Sequence, residues 1–452
     1  MPGLTGWIDA ATVNDASGAG VRAASGEFTW RAPIWRLEEA VQLKPPFRAY
    51  DPERDREAAH RIWREVGWLK EGREEAMDRY VLAGRALVAE IDGTAECLVL
   101  SSTGLLRYRE EDLPFACLTG VTTSYVARRQ KLAGRLAASI VAADALDGAL
   151  VAGLGMFEQG FYNKLGFGTG TYEIFYTFDP AHLRVPVSPR VPCRITPDDW
   201  AEVHAARLAR RRRHGACNLT HPEMTRLDME FEKGFGLGYR DPRTGALTHH
   251  FWCRTDSAEH GPYHMIWMAY RTLEEFLELM ALIQSLGDQV RLMHLCDPPG
   301  MQLQDLLDRP FQRRQASKGG EFESNAWASA WWQARILDLP GCLARTRLPW
   351  CDLRFNLSLH DPIERLLDED APWRGIGGDY VVTLGPESNA ERGHDPSLPV
   401  LQASVNAFTR MWLGIVPATG LAATDDLSGP PELLDALEAA FRLPPPRPDW
   451  PF

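Results

Sequence analysis

One segment limits what this chain can fold into. Val121, Thr122, Thr123 and Ser124 have the β-branched, small character of a strand end. Arg128-Arg129-Gln130-Lys131 follows as a basic turn, and 132–146 is an Ala-rich stretch at helical spacing. A strand that runs through a tight turn into a helix leaves the first N–H groups of that helix unpartnered, at the positive end of its dipole. Such a junction binds anions. Gly134 carries no side chain to obstruct a phosphate, and Arg129 and Lys131 add positive charge.

The neighbouring pattern puts this junction in an open α/β sheet. Residues 47–50 read as a strand and 51–67 as a helix with Ala58, Ile62, Trp63 and Val66 on one face. Residues 86–91 and 95–101 form a hairpin around Asp92-Gly93. Strands at 115–126, 150–154 and 172–178 and helices at 132–146 and 160–165 complete the order β-α-β-β-β-α-β-α-β. Ligands of such sheets sit at strand carboxyl ends, beside helix N-termini.

Four segments are expected. Residues 1–45 are an extension, small and polar over 10–26, and Pro45-Pro46 marks its end. Residues 46–185 carry the junction. Residues 186–335 repeat the α/β theme without it, with a helix at 198–213, a strand pair at 248–253 and 264–270, and a helix at 272–285. Residues 336–452 form a small α+β unit with strands at 353–359 and 402–406, helices at 408–413 and 431–441, and an extended Pro-rich tail, LPPPRPDWPF.

The net charge of −12 opposes non-specific nucleic-acid binding and suits a cationic partner. No apolar run approaches the ~20 residues of a membrane span, and the first residues lack a signal-peptide pattern. A cytoplasmic protein without membrane or nucleic-acid partners is expected. The eight cysteines lie far apart without a CxxC pair, so free thiols and no metal site are expected. Gly234-Phe235-Gly236-Leu237-Gly238 lacks the strand–helix context of a phosphate loop and reads as a flexible connector. Arg210–Arg213 reads as a basic run at a helix end with a solvated or interface role, and adjacent His249-His250 in a strand face opposite sides.

Acyl transfer from a thioester to an amine needs recognition of the carrier's diphosphate, donors for the carbonyl oxygen, a proton acceptor for the amine and a proton donor for the thiolate. The 121–134 segment meets the first two needs. Arg129-Gln130-Lys131-Leu132-Ala133-Gly134 resembles the Arg/Gln-x-x-Gly-x-Gly/Ala signature of the GNAT acetyltransferase superfamily, with Leu132 in place of the first Gly. Glu158-Gln159-Gly160-Phe161-Tyr162-Asn163-Lys164-Leu165-Gly166-Phe167-Gly168 resembles the segment after that superfamily's fifth strand. The resemblance implies acetyl-CoA as co-substrate, bound by Val121 to Ser124 and Arg129 to Gly134, with Tyr162 protonating the thiolate.

Over nearly the whole chain the sequence is similar to the enhanced-intracellular-survival (Eis) family. It implies two tandem GNAT-like domains followed by a sterol-carrier-protein-like domain, whose start matches 331–348, and a homo-oligomer, often a hexamer. It also implies a terminal carboxylate, here that of Phe452, acting as general base. The acceptor implied is a primary amine of a cationic small molecule, aminoglycoside- or polyamine-like, or a lysine side chain. Trp63, Glu65 and Asp449 are candidates for its pocket. The alternative reading takes Leu132 as the mark of a decayed site in a non-catalytic binding or regulatory protein whose third domain holds an apolar ligand.

Overall fold

The computed structural model describes residues 46–231, 234–308 and 323–452. The 1–45 extension lies outside these residues.

β1 (Phe47–Ala49) leads into α1 (Pro52–Glu65), which Asp51 caps by accepting from the Glu53 N–H at 2.9 Å. α1 buries Ala59, Ile62 and Trp63, with Ala58 half-buried against the same cluster, so its inner face is turned slightly from the expected one. α2 (Glu74–Leu82) is a helix that the sequence reading omits, because only Ala76, Met77 and Val81 are buried in its short span. β2 (Arg85–Ile91) and β3 (Thr94–Tyr108) form the expected hairpin, with Asp92 and Gly93 at φ 50° and 79°. β4 (Glu111–Thr123), α3 (Leu132–Leu146), β5 (Val151–Gly155), α4 (Gln159–Asn163), β6 (Gly168–Thr169) and β7 (Glu173–Phe178) follow.

The next stretch holds β8 (Cys193–Ile195), α5 (Trp200–Ala209), β9 (Cys217–Leu219), α6 (Pro222–Phe231), β10 (Gly234–Arg240), β11 (Leu247–Thr255), β12 (Tyr263–Ala269), α7 (Leu273–Ser285), β13 (Met293–Cys296), β14 (Asn325–Ser329) and β15 (Trp332–Ile336). The last holds α8 (Leu339–Leu343), β16 (Leu353–His360), β17 (Gly378–Leu384), β18 (Asn389–Arg392), β19 (Val400–Ser404), α9 (Val405–Trp412), α10 (Ala418–Thr424), β20 (Leu427–Ser428) and α11 (Pro431–Ala440).

Among the described residues three mixed sheets result. The first runs β1-β2-β3-β4-β5-β15-β6, with β9 also on β3; the second runs β14-β7-β13-β12-β11-β10-β8; the third runs β18-β17-β16-β19-β20. The first two sheets exchange strands. β7 leaves the 46–185 segment for the second sheet, and β15 returns from the 186–335 segment to the first, between β5 and β6. α3 covers one face of the first sheet through Leu136, Ala137, Ile140 and Val141. The other face, with Phe115, Cys117 and Val151, shares a core with Phe355, Phe408 and Trp412 of the last unit.

Gly234 to Gly238 form part of a strand, not a connector. β10 lies between β8 and β11, and a β-carbon on Gly236 would come within 2.8 Å of Ile195 Cβ and 2.9 Å of the Phe251 carbonyl oxygen. Close packing of neighbouring strands, rather than flexibility, accounts for glycine there.

Candidate active site

The first sheet opens between β4 and β5. β4 and β5 are parallel and pair at Phe115–Val151, Ala116–Ala152 and Cys117–Gly153. Beyond Cys117, β4 pairs only with β3, while β5 continues along β15 to Gly155–Trp332. A bulge sets the point of divergence: Leu98 faces Thr122 and Leu100 faces Thr119, leaving Gly120 and Val121 opposite one residue. Gly120 has φ 61°, and a β-carbon there would collide with the Leu100 side chain.

The gap leads to the basic turn. Arg129 and Lys131 both adopt left-handed φ, 64° and 61°, and Lys131 caps α3 without a side-chain hydrogen bond. Successive residues alternating through this conformation turn their N–H groups toward one concavity. Arg128, Arg129, Gln130 and Lys131 are exposed. A β-carbon on Gly134 would have only Phe161 Cε2 near it, at 4.0 Å, so the approach to this N-terminus is open. Leu132 and Ala133 are half-buried and pack against the α3 core. Thr122 and Ser124 are buried, and the Ser124 N–H donates to the Glu96 carbonyl at 2.9 Å.

Tyr162 stands on the α3 side of the gap. It shares a packed cluster with Leu118 of β4, Leu154 of β5 and Leu136 of α3, edge-on to Phe161 at 4.9 Å between centroids. The Glu158 carboxylate caps α4 by accepting from the Gly160 and Phe161 N–H groups at 3.0 and 2.7 Å, which fixes the turn that carries the phenol. Burial pushes the Tyr162 hydroxyl up to about 12, so it is neutral across the ordinary pH range.

Phe452 lies across the opposite face of the sheet. Its ring packs on Phe115 at 6.2 Å and on Trp331 at 5.5 Å. A β-carbon on Gly155 would collide with its carboxylate oxygen. The chain's last carboxylate thus reaches the end of β5, where β4 has departed.

The three pocket candidates are engaged by the protein itself. Trp63 is buried against Trp68 and Tyr80. The Glu65 carboxylate accepts from the Tyr125 N–H at 2.6 Å, its backbone carbonyl accepts from the Tyr125 hydroxyl at 2.6 Å, and Arg61 pairs with it at 3.2 Å. Glu65 therefore ties α1 to the turn after β4. Asp449 pairs with Arg210 at 2.8 Å. Arg210 is accordingly not a solvated member of a basic run; it is 6% exposed.

An acid that the sequence reading passed over lies beside the tail. Glu173 is buried, accepts from the Trp331 indole N–H at 2.8 Å, and is held above the usual carboxylate range by that burial. Only the exchange of β7 into the second sheet brings it there, a rearrangement with no local signal. Among the described residues no cluster of His, Cys, Asp or Glu is arranged to hold a metal ion.

No protein-family model and no curated protein matches the chain. Solved structures do. The chain is similar to a GCN5-related N-acetyltransferase from Anabaena variabilis, with a TM-score of 0.71 at 12% identity, over 90% of this chain and 100% of that one. It is similar to Eis1 from Mycobacterium abscessus, with a TM-score of 0.68 at 18% identity, over 90% and 99% of the two chains. A GCN5-related N-acetyltransferase from Kribbella flavida gives 0.68 at 18% identity, over 90% and 98%. The chain has the Eis-like GNAT fold. No helix among the described residues is long and apolar enough to cross a membrane.

Proposed function

We propose that this chain is an N-acetyltransferase that moves the acetyl group of acetyl-CoA to a primary amine of a cationic small molecule or a lysine side chain. The observation that carries this reading is the β4–β5 gap with a phenol on one face and a carboxylate on the other. The N–H groups at the start of α3, with Arg129, Gln130 and Lys131, hold the diphosphate. Val121, Thr122, Thr123 and Ser124, on the strand edge released by β5, pair with the amide-bearing arm and offer an N–H to the thioester oxygen.

The chemistry divides between the two faces. The amine nitrogen attacks the thioester carbon, and the Phe452 carboxylate, directly or through one water, takes the proton it loses. The backbone donors of β4 stabilise the oxyanion until the C–S bond breaks. Tyr162 gives its proton to the departing thiolate and regains one from solvent. A phenol kept neutral by burial suits this donation. The net charge of −12 favours a cationic acceptor. We read 336–452 as the sterol-carrier-like unit that delivers the tail.

A thiol-release assay with acetyl-CoA and a panel of polyamines, aminoglycosides and Lys peptides tests this. Amine-dependent thiol release is expected. Absence of release with every amine, together with absence of acetyl-CoA binding by calorimetry, would favour the non-catalytic reading.

A further inference from the structure

The final residues are fastened by contacts that proton transfer at Phe452 does not itself require. Arg447 Nη1 donates to the Asp297 carbonyl at 2.8 Å, just after β13. The Cys217 N–H donates to the Pro448 carbonyl at 2.7 Å. Arg210 donates Nε to the Asp449 carboxylate at 2.8 Å and Nη2 to the Asp449 carbonyl at 2.7 Å. Its other bonds, to the Arg207 and Cys217 carbonyls and the Asn218 side chain, hold the guanidinium in a fixed orientation. Asp449 takes φ 49°, which bends the tail at this grip.

The next residue is gripped as well. The Trp450 ring is buried with its centroid 3.7 Å from the Arg207 guanidinium carbon, which lies 4.1 Å from the Trp267 ring of β12. Arg207 is 2% exposed, pairs with Asp228 at 2.8 Å and the Thr225 hydroxyl at 3.0 Å, and has no hydrogen-bond partner for Nη2. The two indoles supply the compensation that water would otherwise give. β12 and β13 pair in parallel only at Tyr263–Met293 and His264–His294. Trp267 and Asp297 lie beyond that pairing, the counterpart in the second sheet of the β4–β5 gap.

We propose that Arg207 and Arg210 form a clamp that sets the position of the terminal carboxylate, so that the second α/β unit contributes to catalysis by holding the tail. The proposal rests on the reading of the Phe452 carboxylate as proton acceptor. Two residues separate Trp450 from the terminus, and Pro451 fixes one of the few free torsions between them. A displacement at Trp450 therefore passes to the carboxylate. Arg207 and Arg210 are positioning residues; neither touches the reacting atoms.

The test compares Arg210→Ala and Trp450→Ala, the second of which leaves the second unit's own residues intact. Hydrogen exchange is followed in peptides covering 214–218 and 443–452, beside kcat and KM. Exchange in those peptides should rise about tenfold or more with the other sheets still protected, and kcat should fall about tenfold or more with KM for acetyl-CoA unchanged. Wild-type exchange in both variants, or faster exchange with wild-type kcat, would overturn the proposal. A chain lacking Phe452 that keeps wild-type kcat would instead overturn the proton-acceptor reading, which separates the two failures.

Discussion

The carboxylate oxygen of Phe452 occupies the space that a β-carbon on Gly155, the last residue of β5, would need. This is a contact between the chain's end and the strand that parts from β4, and only a residue without a side chain permits it.

Gly155→Ala should therefore displace the tail. The new methyl would collide with the Phe452 oxygen and lie 3.6 Å from the Trp331 ring. Turnover should fall about 10- to 100-fold, as expected for a misplacement near 1 Å, while the acetyl-CoA KM and the melting temperature change little. Unchanged turnover in steady-state kinetics would show that the contact is incidental.

Gly134→Ala separates folding from binding. Nothing crowds a β-carbon at this position, and alanine is the better helix former. The variant should melt at or above the wild-type temperature, yet raise KM for acetyl-CoA about tenfold, the equivalent of roughly 1.4 kcal/mol of lost phosphate contact. Wild-type KM would place the diphosphate elsewhere.

Tyr162→Phe removes one oxygen from a packed ring. The fold should persist, and kcat should drop about 100-fold if the phenol donates to the thiolate. In the wild type the high hydroxyl pKa, about 12, keeps the donor protonated, so kcat should show no loss through pH 9 attributable to this group. A Phe variant with full kcat would remove Tyr162 from the chemistry.

Acid should destabilise the chain before it reaches the ordinary carboxylate range. His214 accepts from the Arg109 N–H at Nδ1, 3.1 Å, and donates from Nε2 to the Leu413 carbonyl at 2.9 Å, so the folded state has no place for a second proton. Burial pushes it down to about 4, and His204 and His294 likewise. Between about pH 6.5 and pH 4 the unfolded chain binds protons that the native chain refuses, so stability is full above this window and is lost as pH falls through it. Denaturant unfolding at pH 7.5 and pH 5 should show a drop of a few kcal/mol. Equal stability at the two values would contradict the assignment.

Local pattern made much of the first sheet readable. Asp92-Gly93 marks its hairpin because a tight turn needs positive φ there, and the uniform helical spacing of an Ala-rich span marks α3 at 132–146. The glycines of β10 misled, since the same residue serves turns and close strand packing, and only the neighbours Ile195 and Phe251 distinguish the two. The strand exchange of β7 and β15 was invisible, because each strand has an ordinary local sequence and its partner is set by tertiary contacts. For the same reason Glu173, Gly155 and the Arg207–Trp450 contact could not be read: their meaning depends on what lies far along the chain. Tyr162 and Phe452 were legible as candidates through the motifs around them, while Glu65 and Asp449 were legible as acids near the site but not as fasteners.

The most direct measurement is thiol release from acetyl-CoA by the full chain and by the chain lacking Phe452, with the best amine of the panel. The account expects amine-dependent release by the full chain and a loss of about 100-fold or more without the terminal residue, at unchanged acetyl-CoA affinity. Equal rates from the two chains would contradict it.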